Sequence, residues 1–137
     1  ISMGVAYAYK NTDKLVVDLQ PDGDLMFDLG AMWVAAKYEI PMLVIMYNNR
    51  AYYNDWAHQI SVANKRGTDP DRAYIGMDLE GPEPDFAHIA KGMEWYAEGP
   101  IFDPKEIGPA VARGIEQVKK GKPALIDVIT WRRGEAA

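Results

Sequence analysis

The chain contains no cysteine, so disulfide bridges and thiolate-held metals are excluded and a reducing compartment is compatible with it. No stretch approaches the ~18 consecutive apolar residues of a membrane-spanning helix, and no charged segment leads into an apolar core at the start. Neither a span nor a signal peptide is therefore read. Positive charge is also scarce: 15 Lys and Arg stand against 20 Asp and Glu, a net charge of −5, with a pI near 5.0. Binding to nucleic acid or an anionic membrane needs concentrated positive charge, and the pairs Lys119-Lys120 and Arg132-Arg133 are too short to supply it. There is no internal repeat and no low-complexity stretch. A single cytoplasmic domain is the expectation, since 137 residues of which 48% are hydrophobic can bury one sizeable core.

What is present is an alternation of helical and strand-like segments. Residues 2–10 read as a helix. Leu15–Leu19 reads as a buried strand, being short, β-branched and bounded by Asn11-Thr12-Asp13 and Pro21-Asp22-Gly23. Residues 29–38 read as the next helix, ended by Ile40-Pro41, and Met42–Tyr47 as a second buried strand. The near-continuous apolar character of both strands suits a parallel sheet covered on both faces. Residues 54–65 read as a loosely helical segment. The Gly, Pro and Asp between Gly67 and Pro84 predict a loop, with a short extended piece at Ala73–Ile75. Asp85 is placed to cap a helix through Met93, followed by a strand near Trp95–Ala97. Asp103, with Pro104 after it and Glu106 three residues on, starts a helix that runs to Lys120 and stops at Gly121. Ala124–Thr130 is the last strand. The fold class expected is α/β, three layers with a mostly parallel central sheet.

In such a sheet, ligands collect beyond the carboxyl ends of the strands. Asp22-Gly23-Asp24 follows the first strand and Asn48-Asn49 follows the second, so an acidic turn and an amide can converge on one divalent cation. Magnesium prefers oxygen ligands, commonly one or two carboxylates with amide or backbone carbonyls, water and phosphate completing the shell. Asp22, the Asn49 side-chain oxygen and a carbonyl just beyond it, such as that of Ala51, would supply three. Gly23 lets the backbone approach a phosphate with no Cβ in the way. Asp24, Leu25 and the residues after them would open a helix facing the anion.

These residues resemble the Gly-Asp-Gly…Asn-Asn signature of thiamine diphosphate-dependent enzymes, in the group of acetolactate synthase, benzoylformate decarboxylase and 2-hydroxyacyl-CoA lyase. The likeness continues through Trp33-Val34-Ala35-Ala36 and Ile40-Pro41-Met42-Leu43-Val44-Ile45 to the closing strand Pro123–Val128, and so covers nearly all of the chain. It implies that Asp22, the Asn49 side chain and the Ala51 carbonyl hold Mg2+, and that the N–H groups of Gly23 and Asp24 contact the cofactor diphosphate. Pro21 stands where the family has its first glycine and brings no N–H. Asp24 stands where a small or hydroxyl residue is common, and a carboxylate beside a diphosphate is repulsive unless it points away.

The resemblance also implies carbanion chemistry carried by the cofactor on a 2-keto acid or related substrate, with decarboxylation, carboligation or lysis as outcomes. Tyr52, Tyr53 and His58, with Trp56, follow the metal loop where family members place residues near substrate; their alternative role is loop packing. The chain starts at Ile1 with what reads as the later part of a helix, so it is expected to be residues 1–137 of a C-terminal diphosphate-binding domain, truncated at its N-terminus. The missing pyrimidine-binding domain would carry the activating glutamate, leaving the fragment alone inert. A homodimer or homotetramer is implied, while use of FAD is not legible in this domain. Arg50–Trp56 differs from the segment typical of branched-chain acetolactate synthases, so an acetolactate synthase-like decarboxylase, carboligase or lyase is the expectation. The alternative is a non-catalytic thiamine-fold or flavodoxin-like binding or regulatory module. A phosphatase of the Asp-x-Asp type, for which Asp22-Gly23-Asp24 superficially qualifies, and a receiver module are both disfavoured by the placement of Asn48-Asn49.

Overall fold

A computed structural model describes residues 1–131; Arg132-Arg133 lie outside the described residues. Four strands, β1 (Val17–Pro21), β2 (Leu43–Asn48), β3 (Tyr96–Ile101) and β4 (Ala124–Ile129), form one sheet in the order β1-β2-β4-β3. Every pairing is parallel. Helix α1 (Ser2–Tyr9) precedes β1, and between the strands lie α2 (Asp22–Phe27), α3 (Gly30–Lys37), α4 (Tyr53–Arg66), α5 (Phe86–Gly92) and α6 (Pro104–Lys119), with a 3-10 turn at Pro70–Arg72. Parallel strands need crossover connections that lie on the faces of the sheet, and burial on both faces is why β4 reads as an almost unbroken apolar run.

Alternate residues of each strand point to opposite faces, and two cores result. On one face Val44, Met46, Leu125 and Ala97 meet Ala6 of α1, Met32 and Ala35 of α3, and Phe86, Ala87 and Ala90 of α5. Phe86 is fully buried there, and burial of such a side chain contributes about 1.5–3 kcal/mol. Trp95 joins this core and donates its indole N–H to the Met32 carbonyl at 2.7 Å. On the other face Leu43, Ala124, Ile126 and Val128 pack against Ala110 and Val118 of α6, flanked by Ile107, Val111 and Ile115. The result is the expected three-layer α/β/α arrangement.

Local chemistry explains the helix starts. The Asp85 carboxylate accepts from the His88 N–H at 2.8 Å, and that of Asp103 accepts from the Lys105 N–H at 2.9 Å ahead of Pro104. Each satisfies a donor that the first helical turn leaves without an intrahelical partner. Gly121, at φ 86°, ends α6 in the left-handed region.

Four expectations need correction. β1 is not buried on both faces: Val17 and Leu19 are 46% and 67% exposed. β1 is an edge strand, and α6 packs over β2, β3 and β4 instead. Residues 53–66 form a regular helix rather than a loose one. Ala73–Ile75 is a turn following the 3-10 helix, not an extended piece; the extended contact of this region falls later, where Asp78 bridges Ala51. The helix after β1 starts at Asp22 itself and breaks at Asp28, before α3. No helix among the described residues is long and apolar enough to cross a membrane.

Candidate functional site

Register brings the site together. Pro21 lies opposite Tyr47, and Asn48 opposite Ile129, so β1, β2 and β4 end flush and their following residues share one edge of the sheet. This is the edge at which open parallel sheets bind ligands.

Asp22 is wholly buried at the junction of β1 and α2. One carboxylate oxygen, Oδ2, accepts the Ala51 N–H at 3.1 Å. That same N–H is shared with Oδ1 of Asn49 at 3.0 Å, which places the Asn49 amide oxygen beside the Asp22 carboxylate. The other carboxylate oxygen, Oδ1, is buried without a hydrogen-bond partner among the described residues. Burial pushes the Asp22 carboxyl above the usual range, opposed by backbone N–H groups of Gly23, Asp22, Ala51 and Asn49. A buried carboxylate oxygen lacking a donor costs free energy unless a proton or a cation meets it. No group of three His, Cys, Asp or Glu forms a metal cage among the described residues. A cation here would therefore rely on Asp22 with amide and carbonyl oxygens, the donor set that suits a hard divalent ion.

The loop that delivers Asn49 and Ala51 is held on both sides. Leu79 N–H donates to the Arg50 carbonyl at 2.8 Å and Tyr52 N–H to the Met77 carbonyl at 2.7 Å, flanking the Ala51–Asp78 bridge. In that pairing Ala51 turns its own N–H and C=O away from segment 77–79, and its N–H meets Asp22. Arg50, at φ 58°, makes the turn and pairs with Glu83 at 3.3 Å.

Gly23 follows Asp22 in the first turn of α2, where backbone N–H groups have no intrahelical acceptor. A Cβ at Gly23 would lie 2.6 Å from Cδ1 of Tyr52, so the Tyr52 ring sits directly on the glycine. It also packs at 5.3 Å on Phe27. The Asp24 side chain is exposed and lines a separate cavity of about 210 Å³ with Asp18, Gln20 and Asp28. Asn49 and Arg50 line a different one of about 250 Å³, with Phe102, Thr130 and Trp131.

Of the residues singled out in the sequence, Asp22, Gly23, Asn49, Ala51 and Tyr52 come together. Tyr53 instead belongs to an aromatic chain, 6.2 Å from Trp56, which lies 6.4 Å from Tyr74. His58 is exposed on α4. Neither takes part in the hydrogen bonds that join Asp22, Asn49 and Ala51. The sequence reading missed Asp127, 1% exposed on β4, whose Oδ1 accepts from Asn48 Nδ2 at 3.1 Å. Burial raises its pKa to about 6, relieved by the Asn48 bond and reinforced by the nearby charges of Asp22 and Asp85. The signal for it was a lone carboxylate inside the apolar run Ala124–Ile129.

Comparison with known proteins fits this geometry. The family described as thiamine pyrophosphate enzyme, C-terminal TPP binding domain, matches residues 1–128. A sulfoacetaldehyde acetyltransferase of Alcaligenes xylosoxydans xylosoxydans is 26% identical over 122 residues, 88% of this chain and 18% of that protein. A Mycobacterium tuberculosis (strain ATCC 25618 / H37Rv) protein named for the acetolactate synthase large subunit, IlvX, is 30% identical over 97 residues, 68% of this chain and 18% of its own length. The chain thus spans under a fifth of these relatives. Among solved structures, the thiamine diphosphate-dependent 4-hydroxybenzoylformate decarboxylase of Rhodococcus jostii RHA1 superposes with a TM-score of 0.74 at 25% identity, over 98% of this chain and 23% of that one. The chain belongs to the thiamine diphosphate-dependent enzymes, as their C-terminal cofactor-binding domain.

Proposed function

We propose that this domain anchors thiamine diphosphate through Mg2+ in an acetolactate synthase-like decarboxylase, carboligase or lyase acting on a 2-keto acid or related carbonyl compound. The observation that carries the reading is the buried Asp22 Oδ1, without a hydrogen-bond partner among the described residues, beside the Asn49 amide oxygen and the Ala51 backbone. Asp22, the Asn49 side chain and the Ala51 carbonyl would hold the cation. The N–H groups of Gly23 and Asp24 would meet the diphosphate, and the exposed Asp24 carboxylate, on its separate cavity, would stay clear of it.

When bound, the cofactor supplies a thiazolium carbanion able to add to a carbonyl. This chain's residues bind and orient its tail: Asp22 contributes the negative charge, and Asn49 and Ala51 contribute neutral oxygens. Tyr52 walls the glycine turn against Phe27. Tyr52 is also the substrate-side candidate closest to the anchor, ahead of Tyr53 and His58. The activating glutamate, the pyrimidine-binding domain and a dimeric or tetrameric assembly belong to the same proposal, as does a cytoplasmic location.

The test is turnover by the protein as its cell makes it. Pyruvate and benzoylformate, supplied with thiamine diphosphate and Mg2+, should yield CO2 or a coupled product, and excess chelator should stop the reaction. Cofactor binding with no turnover of any 2-keto acid would favour a non-catalytic thiamine-fold module instead.

A further inference from the structure

The geometry points to Asp127 as a positioning residue for the cofactor-anchoring loop, acting through the Asn48 side chain. This inference rests on the reading that Asp22, Asn49 and Ala51 hold the cation, and extends it to a residue outside that set.

Asp127 interrupts a strand whose neighbours Ala124, Leu125, Ile126 and Val128 are all buried and apolar. A carboxylate in such a place carries a desolvation cost that packing alone does not repay. Its partner is Asn48, itself 4% exposed, which donates from Nδ2 at 3.1 Å across 79 residues of sequence. β3 packs tightly beside Asp127: a Cβ on Gly99 would fall 2.6 Å from the Asp127 Cβ.

The chemistry of the pair fixes an orientation. A carboxylate can only accept, whereas an amide has one accepting and one donating end. Asp127 therefore holds Nδ2 of Asn48 inward and leaves Oδ1 facing the loop, where it accepts the Arg50 N–H at 3.0 Å. The Asn48 carbonyl is meanwhile occupied by the Thr130 N–H at 2.8 Å. Arg50 sits at φ 58°, a left-handed conformation unfavourable for a residue with a side chain, and the Asn48 bond helps to hold it there. That turn is what carries the Asn49 amide and the Ala51 N–H to Asp22. A reversed Asn48 amide would present Nδ2 to the Arg50 N–H, donor against donor, and loosen the turn.

The decisive experiment exchanges the two residues in the whole protein. Thiamine diphosphate is titrated at saturating Mg2+ by tryptophan fluorescence, and thermal unfolding is followed without cofactor. Asn48→Asp alone sets two carboxylates against each other and is expected to weaken binding by about 10–100-fold, the usual effect of disturbing an outer-shell partner of a metal site. Adding Asp127→Asn restores one amide and one carboxylate with roles exchanged, and affinity should return to within about threefold of wild type. Binding unaffected by Asn48→Asp, or a folded double variant that stays as weak as the single one, would overturn the proposal. Should the double variant not fold, Asp127→Asn alone decides, because an amide there lets Asn48 turn over. About tenfold weaker binding with no loss of melting temperature is expected, and unchanged binding overturns the idea. Asp22→Asn in the same assay separates the two levels: if it binds like wild type, the underlying reading of the site has failed, not the role of Asp127.

Discussion

The Ala51 N–H donates to Oδ2 of Asp22 at 3.1 Å, joining the loop after β2 to the turn after β1 across 29 residues of sequence. The bond ties together the ends of two adjacent parallel strands, and it leaves the second oxygen of Asp22 buried without a donor among the described residues. The strongest functional signal in this domain is therefore a loop held in place beside a buried carboxylate oxygen that no hydrogen bond among the described residues reaches.

The glycine after Asp22 is predicted to be needed for contact with Tyr52. A Cβ there would approach Cδ1 of Tyr52 to 2.6 Å. Gly23→Ala should destabilise the fold by about 1–3 kcal/mol, as overpacking does. In a Tyr52→Ala background the same change should cost less than about 0.5 kcal/mol, since the colliding ring is gone. Urea unfolding of the four proteins closes the cycle, and an equal cost in both backgrounds would refute the contact.

Gly99 should be the least replaceable glycine. Its Cβ would meet the Asp127 Cβ at 2.6 Å and the Asp127 carbonyl oxygen at 2.7 Å, and its φ of 138° is one that side-chain-bearing residues rarely adopt. Backbone cannot move aside as a ring can. Gly99→Ala is expected to lower stability by about 3 kcal/mol or more, read as a fall in the urea midpoint at unchanged slope. A shift within the error of wild type would contradict the close approach of β3 to β4.

How much of this was legible depended on range. The apolar runs at Met42–Tyr47 and Ala124–Thr130 announced β2 and β4, and Asp85 and Asp103 announced α5 and α6, because strand burial and N-terminal capping are written in adjacent residues. That Asp22, Asn49 and Ala51 would come together was legible because each lies beyond a strand end, and parallel topology gathers strand ends. The exposure of Val17 and Leu19 was not, since an apolar strand reads the same at a sheet edge as at its centre and only the placement of α6 distinguishes them. The Asn48–Asp127 pair and the Ala51–Asp78 bridge were hidden for a related reason. Each joins distant segments, and neither partner carries a local sign of the other.

Away from the site, Glu98 gives a pH-dependent prediction. Hydrogen bonds from Arg113 Nε at 2.8 Å and Nη2 at 2.6 Å, with one from the Tyr96 hydroxyl, hold its carboxyl below the ordinary value of 4.5 despite some burial. A carboxyl with a depressed folded-state pKa contributes stability that is present above its unfolded value and lost as pH falls through the folded one. Glu98→Gln should therefore melt at a lower temperature than wild type at pH 7, and the difference should close as the pH drops below 4.5. A difference that persists unchanged into acid would mean that packing, not charge, is what Glu98 contributes.

The central claim, that Asp22 anchors a cation and through it the cofactor, is tested most directly by titrating the whole protein with thiamine diphosphate in Mg2+ and then in excess chelator, beside Asp22→Asn. The account predicts saturable binding that requires Mg2+, disappears with chelator and is weakened by at least about 100-fold in a variant that remains folded. Wild-type affinity in folded Asp22→Asn, or binding indifferent to the metal, would contradict it.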